Sequence, residues 1–203
     1  MMTKGRNDNH PRKGSSIKVQ PIRSFEAIAA IRAHLYGHPR NLCLFTLGIN
    51  TAYRASELLS LTVGQVDHLK AGDILDIKQQ KTNEYRMAVL NTVAVDAIQS
   101  WLTLHPCRST ATAPLFLSQR GRRSLSVSAV NRLVKSWCRE TGLSGNFGSH
   151  SLRKTWGYHQ RIHNNANVAL LMRAFGHATE AQTLDYLCIL PDEIKALYLG
   201  LEL

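Results

Sequence analysis

Two short stretches place histidine and arginine where they could act on a phosphate. In Ser149-His150-Ser151-Leu152-Arg153 an imidazole and a guanidinium lie three residues apart at the start of a predicted helix, so both share one face. The first-turn N–H groups and the positive end of the helix dipole point the same way, which suits an anion. Further on, Gly176-His177 closes another predicted helix, glycine being a common C-terminal stop. Tyr186 follows nine residues later on the next helix. Singly these signals are weak, since a second His-x-x-Arg lies at His105–Arg108 and a second Gly-His at Gly37-His38. Context separates them: Pro106 opposes helix around His105.

Helical periodicity begins at Phe25, with Ile28, Ile31 and Leu35, and resumes at Leu42, Leu44, Phe45 and Leu47. A short helix starts at Ala55 and carries Leu58, Leu59 and Leu61. Ile74–Ile77 and Tyr85–Val89 read as two strands, with Gln79-Gln80-Lys81-Thr82-Asn83 at the tip of the hairpin they form. Further helices are predicted over Val93–Leu104, Val127–Glu140, His150–His163, Val168–Phe175 and Ala178–Cys188. A last one follows Pro191, with Ile194, Leu197, Tyr198 and Leu201 on one stripe. The stretch His105–Ser124 is loop-like apart from Leu115-Phe116-Leu117. The expected fold is mainly α with a small antiparallel β-hairpin.

The chain has 203 residues, enough for one sizeable core. Lys and Arg number 25 against 14 Asp and Glu, a net charge of +11 that favours a polyanionic partner through counterion release. On charge alone, nucleic acid is the expected partner. No apolar stretch approaches a membrane span, and the polar, basic start is no secretory signal, so a cytoplasmic protein is expected. Cys43, Cys107, Cys138 and Cys188 are widely spaced, and Cys43 and Cys188 read as small buried hydrophobes. No carboxylate cluster suited to two metal ions is evident, and neither metal nor cofactor is expected. His159 and His163, four apart, lack a third ligand and read as a solvated helix face.

Four fragments taken together resemble the tyrosine recombinases of the phage integrase family. Thr51-Ala52-Tyr53-Arg54-Ala55-Ser56-Glu57-Leu58-Leu59-Ser60-Leu61 resembles their first arginine box, and Ser149–Arg153 their His-x-x-Arg box. Phe175-Gly176-His177 with Tyr186 resembles their closing motif, and Lys81 their hairpin lysine. The resemblance covers about residues 24–199 and implies DNA strand breakage and rejoining through a 3′-phosphotyrosine on Tyr186. It implies that Arg54 and Arg153 grip the phosphate, that His150 is the general base and that His177 donates to the phosphate. Lys81 would be the acid for the departing 5′-oxygen, with Lys78 as rival, and Glu57 a supporting residue. The resemblance also implies double-stranded DNA as the partner, a catalytic domain over residues 23–203, and a homo-tetramer on DNA joined through the C-terminal helix. Residues 1–22, basic and rich in Gly, Ser and Asn, are expected to form a flexible arm.

Blander readings stand beside these. Arg54 could simply pair with Glu57 on a surface, and a core position is the expectation for Tyr36, Tyr85, Tyr158 and Tyr198. Family members usually carry a separate DNA-clamping domain ahead of the catalytic one. The chain is therefore expected to be a short member, like the invertases of fimbrial promoters, or a catalytic fragment. Inversion is preferred to integration on length. A type IB topoisomerase-like enzyme and a DNA-binding regulator without catalysis are the two alternatives.

Overall fold

The computed structural model describes residues 19–78, 85–118 and 123–200. In chain order the elements are α1 (Phe25–His34), α2 (Pro39–Asn50), α3 (Ala55–Leu58), α4 (Val63–Val66), β1 (Ile74–Lys78), β2 (Tyr85–Val89) and α5 (Thr92–Leu102). They continue as α6 (Val127–Glu140), α7 (Ser149–His163), α8 (Val168–Phe175), α9 (Glu180–Leu187) and α10 (Pro191–Leu199). The helix starts follow from local chemistry. Ser24, Asn91, Ser126, Asn167 and Thr179 each accept a backbone N–H from the first turn of their helix. Prolines open α2 and α10, where their missing N–H costs nothing. The short α4 was not anticipated, although Thr62 and Gln65 carry a capping-box spacing; Gln65 Oε1 accepts the Thr62 N–H at 2.9 Å.

The main core gathers around α2, whose Cys43, Leu44, Phe45 and Leu47 are fully buried and which packs against α5 and α7. Phe45 meets Trp137 of α6 edge to face at 6.1 Å. At Gly48 a Cβ would stand 2.6 Å from Leu152 Cδ1, so glycine lets α2 and α7 approach closely. A second, smaller cluster of Ala52, Leu171, Phe175 and Leu187 is joined by Trp156, Ala166 and Tyr186. Helix α7 spans both, with Leu152 in the first and Trp156 in the second. That shared helix ties the C-terminal helices to the rest.

Strands β1 and β2 pair antiparallel, Ile74 opposite Val89 and Ile77 opposite Arg86. The inward face carries Leu75, Ile77, Ala88 and, unusually, Arg86, which is 6% exposed. The larger apolar side chains Tyr85, Met87 and Val89 face outwards.

Several expectations change. Tyr36, Tyr85 and Tyr198 are exposed rather than core residues, and the fully buried tyrosine is Tyr53. Cys188 is half-buried and not a core hydrophobe, because its sulfur accepts a hydrogen bond from Lys154 Nζ at 3.1 Å. His159 is half-buried and its Nε2 bonds the Ile22 carbonyl at 3.0 Å. Residues 19–22 of the expected arm are packed: Ile22 is fully buried, and its N–H donates to Thr155 Oγ1 at 2.8 Å. Residues 1–18 lie outside the described residues, as do residues 79–84, which include the expected tip at 79–83. Among the described residues, no helix is long and apolar enough to cross a membrane.

The seam between α7 and the smaller cluster gives a stability prediction. A Cβ at Gly157 would come within 2.3 Å of the Phe175 ring. Gly157→Ala gains about 1 kcal/mol of helix propensity, yet overpacking costs about 1–3 kcal/mol. Thermal unfolding should therefore show a lower melting temperature, by a few degrees. A higher one would mean that Phe175 moves aside freely.

Candidate active site

The site is built outward from the first arginine box. Ala52 adopts a left-handed backbone conformation, φ 57°. That turn aims its carbonyl at Arg153, whose Nη1 donates to it at 2.6 Å. A side chain with a Cβ costs on the order of 1 kcal/mol in this conformation. The next residue, Tyr53, donates its hydroxyl to the Leu75 carbonyl and lies 3.3 Å from the Arg86 carbonyl, so it fastens the hairpin to the box. Burial, with Asp76 and Glu57 nearby, raises the Tyr53 pKa and keeps it a neutral donor.

Arg54 precedes α3, and Glu57 reaches back to it. Glu57 Oε2 accepts the Arg54 N–H at 2.6 Å, and Oε1 accepts Nη1 at 2.9 Å. The same carboxylate, only 8% exposed as a side chain, also meets Arg86 Nε at 3.2 Å and Arg153 Nη1 at 3.7 Å. Three guanidinium groups against one carboxylate leave two positive charges in the cluster. Arg54 is 35% exposed and opens towards solvent, whereas Arg153 is 2% exposed and forms the floor. Burial draws the Arg153 pKa well down from its ordinary value, with Arg86 and Arg54 adding to the effect while Tyr186 and Glu57 oppose it.

Arg86 was not singled out from sequence. Its Nη1 donates to the carbonyls of Ala174, at 3.3 Å, and Phe175, at the C-terminus of α8. Arg153 Nη2 donates to the same Phe175 carbonyl. This explains the glycine of the closing motif twice over. Gly176 has φ +57°, and a Cβ there would stand 2.4 Å from Arg86 Nη2. Besides ending α8, it makes room for an arginine from β2. The signal in sequence was a charged residue between the apolar Tyr85 and Met87, which reads equally well as an outward position.

Tyr186 stands at the centre. Its hydroxyl is 2.8 Å from His150 Nδ1, and its ring lies against Phe175 and His177 with centroids 5.1 Å away in each case. Arg153 and Lys154 sit over the ring at 5.7 and 4.9 Å. Burial raises the Tyr186 pKa, while Arg153 and Arg54 pull it down. Burial lowers that of His150, helped by Arg153, Arg54 and Lys154. For His177 burial comes first, then the three arginines, bringing it to about 4. Both imidazoles are neutral at pH 7, so His150 can accept a proton and His177 can donate a hydrogen bond.

The structure thus brings together Arg54, Glu57, His150, Arg153, His177 and Tyr186, from four separate stretches of chain. Lys81 lies outside the described residues. The expected anion site at the α7 N-terminus is partly taken by protein: Asn131 Oδ1 accepts the Ser149 N–H at 3.0 Å, and the Ser151 N–H goes to the Gly148 carbonyl. Positive charge for an anion comes instead from the arginines. Among the described residues, no group of three or more His, Cys, Asp or Glu is placed to hold a metal ion.

Residues 24–191 match the phage integrase family. A probable integrase/recombinase of Bacillus subtilis (strain 168), YoeC, is 31% identical over 184 residues, covering 89% of this chain and 95% of the relative. Tyrosine recombinase XerC of Pelobacter propionicus is 31% identical over 80% of this chain, and the chain spans 52% of its length. Among solved structures, XerA recombinase superposes with a TM-score of 0.75 at 20% identity, over 89% of this chain and 65% of that one. XerH bound to palindromic difH after cleavage gives 0.68 at 21%, over 89% and 53%. Sequence and fold agree, and the chain belongs to the phage integrase family of tyrosine recombinases.

Proposed function

We propose that the chain is a site-specific recombinase that cuts and rejoins double-stranded DNA through a 3′-phosphotyrosine formed on Tyr186. The observation that carries the reading is the 2.8 Å hydrogen bond between Tyr186 and His150, made beside an arginine cluster with surplus positive charge. The Tyr186 oxygen attacks phosphorus while its proton passes to His150 Nδ1. The bond to the 5′-oxygen breaks, and Lys81, assigned by resemblance, protonates the leaving group. Religation reverses these steps, and the covalent link conserves the phosphodiester energy, so neither ATP nor a cofactor is needed.

Arg54 and Arg153 face the charge that develops on the non-bridging oxygens, where preorganised donors lower the barrier most. Glu57 holds them in place and limits their mutual repulsion. His177, neutral, supplies a further donor to the phosphate. The net charge of +11 supports binding to the DNA backbone. In α10, Ile194, Tyr198 and Leu199 are 51%, 80% and 72% exposed. This apolar set supports docking of α10 on a neighbouring protomer in a homo-tetramer that synapses two sites. Its own protomer holds the helix through Arg161 and Glu193, 2.5 Å apart.

The test is a nicked duplex drawn from DNA flanking the gene, resolved on a denaturing gel. Wild type should give a slow-migrating covalent adduct and Tyr186→Phe none; an adduct from both moves the nucleophile elsewhere. Arg54→Ala and Arg153→Ala should each lower cleavage by about a hundredfold or more, and full cleavage by either removes it from the clamp. With the His150 pKa depressed below 6.5, the base stays neutral through pH 6.5 and is lost only as pH falls further. The second-order rate of adduct formation at subsaturating DNA, which reports the free protein, should therefore hold down to about pH 6.5, and an acid limb centred above that would exclude His150 as the base. Arg86→Met leaves Glu57 and the Phe175 carbonyl short of a donor. It should slow cleavage by about tenfold or more while DNA binding by gel shift persists; an unchanged rate would reduce Arg86 to a packing role.

A further inference from the structure

Thr183 is fully buried in α9, three residues before Tyr186 and on the same face. A threonine inside a helix ordinarily returns its hydroxyl proton to the carbonyl four residues earlier. Among the described residues Thr46 Oγ1 is buried without a partner, whereas Thr155 bonds back in this way inside α7, to Ser151 at 2.7 Å. Thr51 and Thr141 do so as C-caps, to Leu47 and Trp137 at 2.7 and 2.8 Å. Thr183 does not. Its Oγ1 lies 3.1 Å from His177 Nδ1 instead.

A buried hydroxyl proton without an acceptor costs on the order of 1–3 kcal/mol. If His177 carried its proton on Nδ1, the Thr183 hydroxyl would have to turn its own proton away from the ring, where no other acceptor among the described residues bonds it. If the proton is on Nε2, the hydroxyl donates to a bare Nδ1 and both groups are satisfied. The ring is held meanwhile by Phe175, stacked at 5.0 Å and 21°, and by the edge of Tyr186 at 5.1 Å. Among the described residues Nε2 bonds to no protein group, which leaves it free to meet a ligand.

We infer that Thr183 is a positioning residue that fixes His177 as its Nε2–H tautomer, presenting one defined donor to the scissile phosphate. The wrong tautomer would turn a lone pair, not a hydrogen, towards phosphate oxygen, and two negative sites would repel. The inference rests on the recombinase reading for its consequence, but the tautomer itself does not. Thr183 also links the nucleophile's helix to the phosphate donor, because one turn of α9 carries both the hydroxyl and Tyr186.

The full chain, labelled with ¹⁵N-histidine, is measured by NMR, with His177→Asn assigning the ring signals. Wild type should show a protonated Nε2 and an unprotonated Nδ1. Thr183→Val, nearly isosteric, should lose that preference and form the covalent adduct about tenfold to a hundredfold more slowly, with DNA affinity retained. Thr183→Ser keeps the hydroxyl and should recover both the tautomer and most of the rate. A protonated Nδ1 in wild type overturns the inference, as does a Thr183→Val protein that cleaves at the wild-type rate. An equal loss of rate in Thr183→Ser, with the Nε2–H tautomer unchanged in Thr183→Val, would assign Thr183 to packing and overturn the inference. Should wild type form no adduct at all, the recombinase reading fails, while the NMR result still decides the tautomer.

Discussion

At the floor of the site one buried carboxylate, Glu57, meets guanidinium groups from the residue before α3, from β2 and from α7. Burying a guanidinium without compensation costs several kcal/mol, and one carboxylate cannot neutralise three. The remainder is met by backbone carbonyls: Ala52 for Arg153, Ala174 for Arg86, and Phe175 for both. For carbonyls to point inwards at the ends of two helices the chain must bend, and it bends at left-handed residues, Ala52 after α2 and Gly176 after α8. Gly176 adopts its turn at no steric cost, and the strain at Ala52 places an acceptor where the buried charge needs one. Hairpin, first box and closing motif are held in one arrangement because they share these acceptors.

The same cluster sets the protonation states around the nucleophile, and its effects oppose one another. Burial raises the Tyr186 pKa and the arginines lower it, whereas burial and arginines both depress the imidazoles. Before DNA arrives, the phenol is protonated and His150 is a neutral but weak base. An entering phosphodiester brings negative charge that screens the arginines from His150. Its basicity then rises in the complex where the proton must move, as charge neighbours require. Preorganisation of this kind needs the positive charge to stay fixed, which is what the shared carboxylate and carbonyls provide.

Much of this was legible in the chain itself. Apolar periodicity marked the long helices, because core packing demands a repeat near 3.6 and local caps mark the starts; α6 and α8 run over the predicted Val127–Glu140 and Val168–Phe175. Arg54, Glu57, His150, Arg153, His177 and Tyr186 were found because they sit in short motifs whose internal spacing is local. Residues 79–84, with Lys81, carry a role that rests on resemblance.

Other features have no local signature. In Tyr85-Arg86-Met87-Ala88-Val89 the alternation fits either face of a strand, and the larger apolar set would ordinarily be the buried one. The approach of α3 and α8, distant in sequence, turns Arg86 inwards, since they bring a carboxylate and a carbonyl to its charge. Tyr53 and Tyr85 look alike in sequence, yet one is buried with a carbonyl to bond and the other lies on the outer hairpin face. Thr183 likewise became distinct only when α8 delivered an imidazole to its hydroxyl. The long helices, the two strands and the motif side chains could be read from the chain, because spacing along a helix or strand is set by neighbouring residues. Tertiary structure decided which charges are shared and which protons have acceptors, because those depend on segments that meet only when the chain has folded.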